Sequence, residues 1–457
     1  MNKSTFVISC PIDTYSGYGA RSRDVVKAII ELDKYDVKIM PQRWGSTPWG
    51  FIEDNPEWEF LRKHFFFPNP QDQHPQPDIW MQITVPNEFQ PLGKYNIGVT
   101  AGIETTIATG EWIEGCNRMN LILGSSNHTI NVLKNSKFNK NDPNTNQPVG
   151  TLELTTDTEV VFEGVNTEIY KTTTSTLDLS GVKEDFAFLF VGHWLPGSLG
   201  EDRKNVGLLI KSFCETFKSS PTKSPALILK TSLGGTSYMD RDEVLKRIQN
   251  IKSTIKGKCP NIYLLHGEFS DEGMNELYNH PKVKVMVSLT KGEGFGRPLL
   301  EFTQSKKPIL ATGWSGHIDF LKPDMSLLLN GTLGQVHPSA ANNMILKEAQ
   351  WFNVDTMQLG RSLKDIYKRY KSFKDNAKRQ GYYCKTNFSY EKMKEKLDEI
   401  FTSKIPNFPK QIPLQLPKLK KIKNSNTNGK PSDVEILNQM DLDGGELKLP
   451  KLKKIEV

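Results

Sequence analysis

The chain alternates short apolar runs with stretches whose apolar residues recur at helical spacing. Residues 5–10 read as a strand that empties into a loop over 11–19. From 21 to 32, Val25, Val26, Ala28, Ile29, Ile30 and Leu32 repeat as on one face of a helix, and 37–40 follows as a second strand. This strand–helix–strand opening predicts a parallel sheet. Further strands are expected at 79–84, 96–100, 121–125 and 160–162. A second series starts at 187, with strands at 187–192, 226–231, 262–265, 283–289 and 308–312. Helices at 206–217, 241–255, 271–278 and after Pro298 separate them.

Segments without such a period divide the chain. Residues 54–77 are rich in proline and aromatics and read as a surface excursion; 137–158 is polar and reads as an insertion or long loop. A threonine- and serine-rich connector at 172–180 marks the boundary between an N-terminal α/β domain, 1–170, and a second one, 186–380, with 171–185 as linker. Two such domains in tandem leave a cleft at the carboxyl ends of their strands, where ligands bind. Glu/Lys pairs at 389–401 predict an amphipathic helix closing a C-terminal helical segment, 381–401. Beyond it, 402–457 is rich in Pro, Lys and Asn and carries Leu-Pro-Lys-Leu-Lys-Lys-Ile twice, at 416–422 and 449–455. That composition predicts a disordered basic tail. The repeat reads either as a segment that docks a protein or membrane surface, or as an inert solubilising extension.

Composition narrows the classes. With 457 residues, 37% hydrophobic and 24% charged, the chain has room for two globular domains. The net charge of +7 owes much to the late lysines and does not indicate a nucleic-acid surface. Five dispersed cysteines without a CxxC pair fit free thiols in a reducing compartment, and the eight histidines show no metal-ligand spacing, so no metal site is expected. No apolar run approaches the roughly 18 residues of a membrane span, and the start reads as a strand, so a cytoplasmic location is expected.

The chemistry concentrates at 288–301, Ser-Leu-Thr-Lys-Gly-Glu-Gly-Phe-Gly-Arg-Pro-Leu-Leu-Glu. A buried strand runs into a loop with glycine at 292, 294 and 296, and Pro298 stands where a helix begins. Such a loop lets backbone N–H groups approach a phosphate. Two carboxylates bracket it, Glu293 and Glu301, with seven residues between them. Flanking acids suit a ligand that joins phosphate to sugar hydroxyls. The first loop, Ser16-Gly-Tyr-Gly-Ala-Arg21, nearly spells GxGxxG, with Ser22 in place of the third glycine. Asp36 opens the second strand instead of closing it, which disfavours NAD.

The acid-flanked loop resembles the E-x7-E signature of retaining family 4 glycosyltransferases. Residues 262–278 resemble that family's strand, loop and helix beside the nucleotide base, and 308–320 the strand and glycine turn after the signature helix. Residues 161–166 resemble the segment that closes its N-terminal domain. The resemblance spans roughly 4–401 and is densest over 186–320. It implies the GT-B fold, two Rossmann-like domains facing across a cleft, and transfer of a sugar from a nucleotide diphosphate to an acceptor hydroxyl with retained configuration. It implies no cofactor beyond the donor nucleotide sugar and a metal-independent, same-face mechanism.

The resemblance also implies roles. Glu293 orients the sugar, Gly294, Phe295 and Gly296 donate from the backbone near the sugar phosphate, and Glu301 accepts from the ribose. In Gly200-Glu-Asp-Arg-Lys-Asn, Lys204 aligns with the family's phosphate lysine, with Arg203 and Lys230 as further cations. His193 stands where the family has an arginine. Gly17 and Gly19 lie against the donor phosphate and acceptor. The family's sugar-facing histidine has no counterpart in 99–106, which leaves Glu104 and His128 as acceptor-side candidates. The acceptor stays open among saccharide, lipid, protein and nucleic-acid base. Two other classes share these features: a GT-B sugar-nucleotide epimerase, and a non-catalytic adaptor acting through the repeated tail.

Overall fold

The computed structural model describes residues 3–408 apart from 46, 70, 72–74, 143, 144, 146 and 219–222. Both copies of the tail repeat lie outside the described residues. The N-terminal half carries β1 (Ser4–Cys10), β2 (Tyr35–Pro41), β3 (Ile79–Ile83), β4 (Tyr95–Thr100), β5 (Leu121–Gly124), the hairpin β6 (Phe138–Asn141) and β7 (Pro148–Leu152), and β8 (Asp157–Val160). Six of these form a parallel sheet in the order β2-β1-β3-β4-β5-β8. Its helices are α1 (Gly17–Glu31), α2 (Phe51–Asp54), α3 (Gly110–Asn117) and α4 (Asn127–Asn135).

The second sheet repeats the plan with β9 (Ala187–Val191), β10 (Ala226–Lys230), β11 (Ile262–Leu265), β12 (Val283–Ser288), β13 (Ile309–Thr312) and β14 (Leu327–Leu329), in the order β11-β10-β9-β12-β13-β14. α5 (Val206–Phe217), α6 (Tyr238–Ser253), α7 (Asp271–Asn279) and α8 (Arg297–Thr303) connect its strands. A second hairpin, β15 (Gly331–Gln335) and β16 (Gln350–Val354), precedes α9 (Thr356–Lys368), α10 (Tyr370–Asn387) and α11 (Tyr390–Lys404). In each sheet the strand order reverses beside the first strand. The loops after β1, β9 and β12 therefore open into crevices where α/β sheets bind ligands.

Several expectations need correcting. α1 starts at Gly17, four residues early, because the Ser16 hydroxyl accepts from the Gly19 N–H at 2.8 Å and caps the helix before its apolar stripe begins. The 137–158 segment is a hairpin, exposed along most of its length, so no alternating apolar face announces it. The strand expected at 160–162 runs over Asp157–Val160 as a polar edge strand paired to β5. The excursion at 54–77 holds a 3-10 helix, Pro56–His64, anchored by buried Leu61. The division placed at 380 falls within α10, which is continuous to Asn387.

α11 turns back to the first sheet. Its Tyr390, Met393, Leu397, Ile400 and Phe401 share one core with Phe6, Val25 and Ile29. The C-terminal helix thus completes the hydrophobic core of the N-terminal domain. No helix among the described residues is long and apolar enough to cross a membrane.

Candidate active site at the glycine loop

β12 ends at Ser288, and the loop that follows meets the N-terminal domain almost without a gap. A Cβ added to Gly292 would lie 2.0 Å from the Glu104 carbonyl, and one on Gly294 would lie 2.4 Å from that of Ala101. Glycine is required there because two backbones touch. The Gly294 carbonyl accepts from the hydroxyls of Ser126, at 2.5 Å, and Ser125, at 3.1 Å. Gly296 has φ of 95°, a left-handed turn that aims the chain into α8. The N–H groups of Gly294, Phe295 and Gly296 meet no acceptor among the described residues. The Phe295 ring is buried, 5.0 Å from that of Phe320.

Glu293 sits in this loop, 8% exposed. One carboxylate oxygen accepts from Lys204 at 2.5 Å, and the other lies 3.5 Å from Arg203. Arg203 also donates to the Gly292 carbonyl at 2.8 Å and reaches Glu104 across the domain boundary at 3.1 Å. Both cations come from the loop after β9, the strand beside β12, so the sheet order itself brings them to the acid. Burial raises the Glu293 carboxyl, but the charges of Lys204 and Arg203 outweigh it and hold the pKa down at about 2.

Glu301 lies within α8, 7% exposed. It accepts from Arg297 at 2.9 Å and from the Tyr278 hydroxyl at 3.3 Å. Arg297 also donates to Asp24 of α1 in a second ion pair between the domains. Here burial prevails over Arg297, with Asp271 adding negative charge, and the carboxyl is pushed up to about 7.

The other expected residues make no hydrogen bond or ion pair to either carboxylate among the described residues. Lys230 donates to the Gly267 carbonyl at 2.6 Å and lies 5.2 Å over the Phe269 ring. His193 is exposed and pairs through Nδ1 with the Ser232 hydroxyl at 3.0 Å. Gly17 is open, whereas Gly19 is packed so that a Cβ would lie 2.3 Å from the Thr14 carbonyl. Between them, the Tyr18 hydroxyl accepts from the Ala101 N–H at 3.0 Å and meets the Thr100 hydroxyl at 3.0 Å, tying the first loop to the one behind Gly294. His128 packs edge-on against Trp314 at 4.8 Å, and burial pushes its imidazole down to about 4.

The sequence reading missed Asp24, Arg297, Tyr278, Ser125, Ser126 and His317. His317 is fully buried and bonds the Thr312 carbonyl through Nε2 at 2.6 Å, while its Nδ1 has no partner among the described residues. Arg297 was detectable, four positions before Glu301 and on the same helix face. Among the described residues, no group of three or more His, Cys, Asp or Glu side chains is placed to hold a metal ion.

No family model matches the sequence, and no curated protein matches it. Solved structures do. A glycosyltransferase from Rickettsia africae aligns over 89% of this chain and 100% of its own, at 14% identity and a TM-score of 0.56. Anabaena HepE, solved with UDP and glucose, aligns over 88% and 100%, at 13% identity and 0.55. Sucrose-phosphate synthase from Thermosynechococcus elongatus aligns over 88% and 98%, at 11% identity and 0.56. The architecture is the GT-B fold of these enzymes.

Proposed function

We propose that this chain is a retaining glycosyltransferase of the family 4 type, with Glu293 and Glu301 as its E-x7-E pair. It transfers a sugar from a nucleotide diphosphate to an acceptor hydroxyl, acting in the cytoplasm. The carrying observation is the cluster of Glu293, Lys204 and Arg203 beside three unpaired loop N–H groups, at the point where the strand order reverses. A departing diphosphate needs positive charge placed in advance, and Arg203, Lys204 and Lys230 supply it. Glu293, held ionised by those cations, accepts from hydroxyls of the transferred sugar, and Glu301 accepts from the ribose. In the same-face mechanism the leaving phosphate takes the acceptor proton, so no carboxylate nucleophile is required. The fold neighbour HepE, solved with UDP-glucose, is consistent with a nucleotide-sugar donor.

The test is incubation with a panel of nucleotide sugars and candidate acceptors, followed by the anomeric configuration of the product. Glu293→Ala and Glu301→Ala should each cut transfer at least about tenfold, roughly 1.4 kcal/mol. Unchanged turnover in both folded variants contradicts the proposal.

A further inference from the structure

A cavity of about 290 Å³ lies between the first loop of the N-terminal domain and the loop after β11. Its walls are aromatic: Tyr15 and Phe51 on one side, ring centroids 5.1 Å apart and edge-on, and Phe269 on the other. Its polar lining sets four carboxylates beside Ser16, Arg23, Asn55 and Ser270. Asp54, Glu57, Glu268 and Asp271 line it, and a carboxylate only accepts. Asp271 already accepts from the Tyr170 hydroxyl at 2.9 Å, and several lining donors are committed as well. The Tyr15 hydroxyl donates to Asp54, and Asn55 donates to the Phe51 carbonyl at 2.7 Å. Arg23 spends one amino group on the Ile12 and Thr14 carbonyls, both at 2.9 Å, and lies 3.4 Å over the Phe51 ring. Glu57 and Glu268 form no ion pair within 4 Å among the described residues, although Glu268 lies in the field of Lys230.

A ligand filling this space needs a flat face and an edge rich in donors. Guanine presents two adjacent donors, N1–H and the N2 amino group, which one carboxylate accepts together. Uracil presents a single N3–H between two carbonyl oxygens that carboxylates repel. Adenine and cytosine each offer one amino group beside a ring acceptor. The cavity's position also fits a base. Asp271 opens α7 just past the carboxyl end of β11, in the sheet that carries the glycine loop. Across the helix pair, Glu301 accepts from Tyr278 of the same α7.

We infer that this cavity holds the base of the donor and that the base is guanine, making the donor a guanosine diphosphate sugar. This rests on the nucleotide-sugar reading above. Isothermal titration of the full chain with GDP, UDP, ADP and CDP tests it. GDP should bind at least about tenfold more tightly than the other three. Glu268→Gln should remove most of that preference, GDP binding becoming weaker while UDP, freed of a carboxylate beside its carbonyl oxygens, binds no less tightly than to wild type. Another base bound as tightly as guanine overturns the inference and leaves the transferase reading standing. A guanine preference that survives in both Glu268→Gln and Asp54→Asn overturns the placement in this cavity. Failure of all four nucleotides to bind overturns both readings.

Discussion

Glu293 and Glu301 bracket one loop and are buried to the same depth, yet their surroundings have opposite character. Beside Glu293 stand Lys204 and Arg203, and the carboxyl is held at about 2. Around Glu301 one cation, Arg297, is shared with Asp24, while Asp271 adds negative charge; burial wins, and the carboxyl rises to about 7. Residue type and depth do not set the protonation state of a buried acid; the balance of neighbouring charge does. At neutral pH Glu293 is a fixed carboxylate suited to accept hydroxyls, whereas Glu301 titrates near pH 7.

The largest effect should come from stripping Glu293 of its nearer cation. Lys204→Met leaves a buried carboxylate with only the 3.5 Å contact to Arg203. It should lower stability in urea by about 3 kcal/mol, partly restored by adding Glu293→Gln. Next comes pH. The folded value of Glu301 lies above its ordinary 4.5, so its contribution to stability is full below that value and fades as pH rises through about 7. If Glu301 binds the ribose as proposed, nucleotide binding needs the carboxylate and should run the other way, strengthening between about pH 6 and about pH 8. Glu301→Gln should flatten that profile. The smallest effect is the finest test of the contrast: Asp271→Asn removes a neighbouring negative charge and should move the binding midpoint down by about half a pH unit.

The two parallel series were legible because each buried strand is a short apolar run and each helix an amphipathic repeat. α5 and β11 fall where the pattern puts them, at Val206–Phe217 and Ile262–Leu265. The β6–β7 hairpin was not legible, since exposed strands need no apolar face. Nor does an amphipathic stripe name its partner, and α11 docks on a core that begins at Phe6. In the site, Glu293, Lys204 and Arg203, each read from its own loop, lie side by side, whereas Arg297, next to Gly296, was overlooked. Asp24 was missed too, because its pairing with Arg297, 273 residues away, exists only once the domains meet. The loop glycines carried a second meaning as well. Their lack of a side chain also admits the backbone of Ala101 and Glu104, a contact no local pattern encodes.

In the proposed function Glu293 reads the sugar and Glu301 the nucleotide. The most direct test is to titrate wild type, Glu293→Gln and Glu301→Gln with the nucleoside diphosphate bound best and with its sugar derivative. Wild type should bind the sugar form more tightly than the bare nucleotide. Glu293→Gln should erase that difference, and Glu301→Gln should weaken both ligands alike. A Glu293→Gln protein that keeps the full difference, or loses affinity for both ligands equally, would contradict the account.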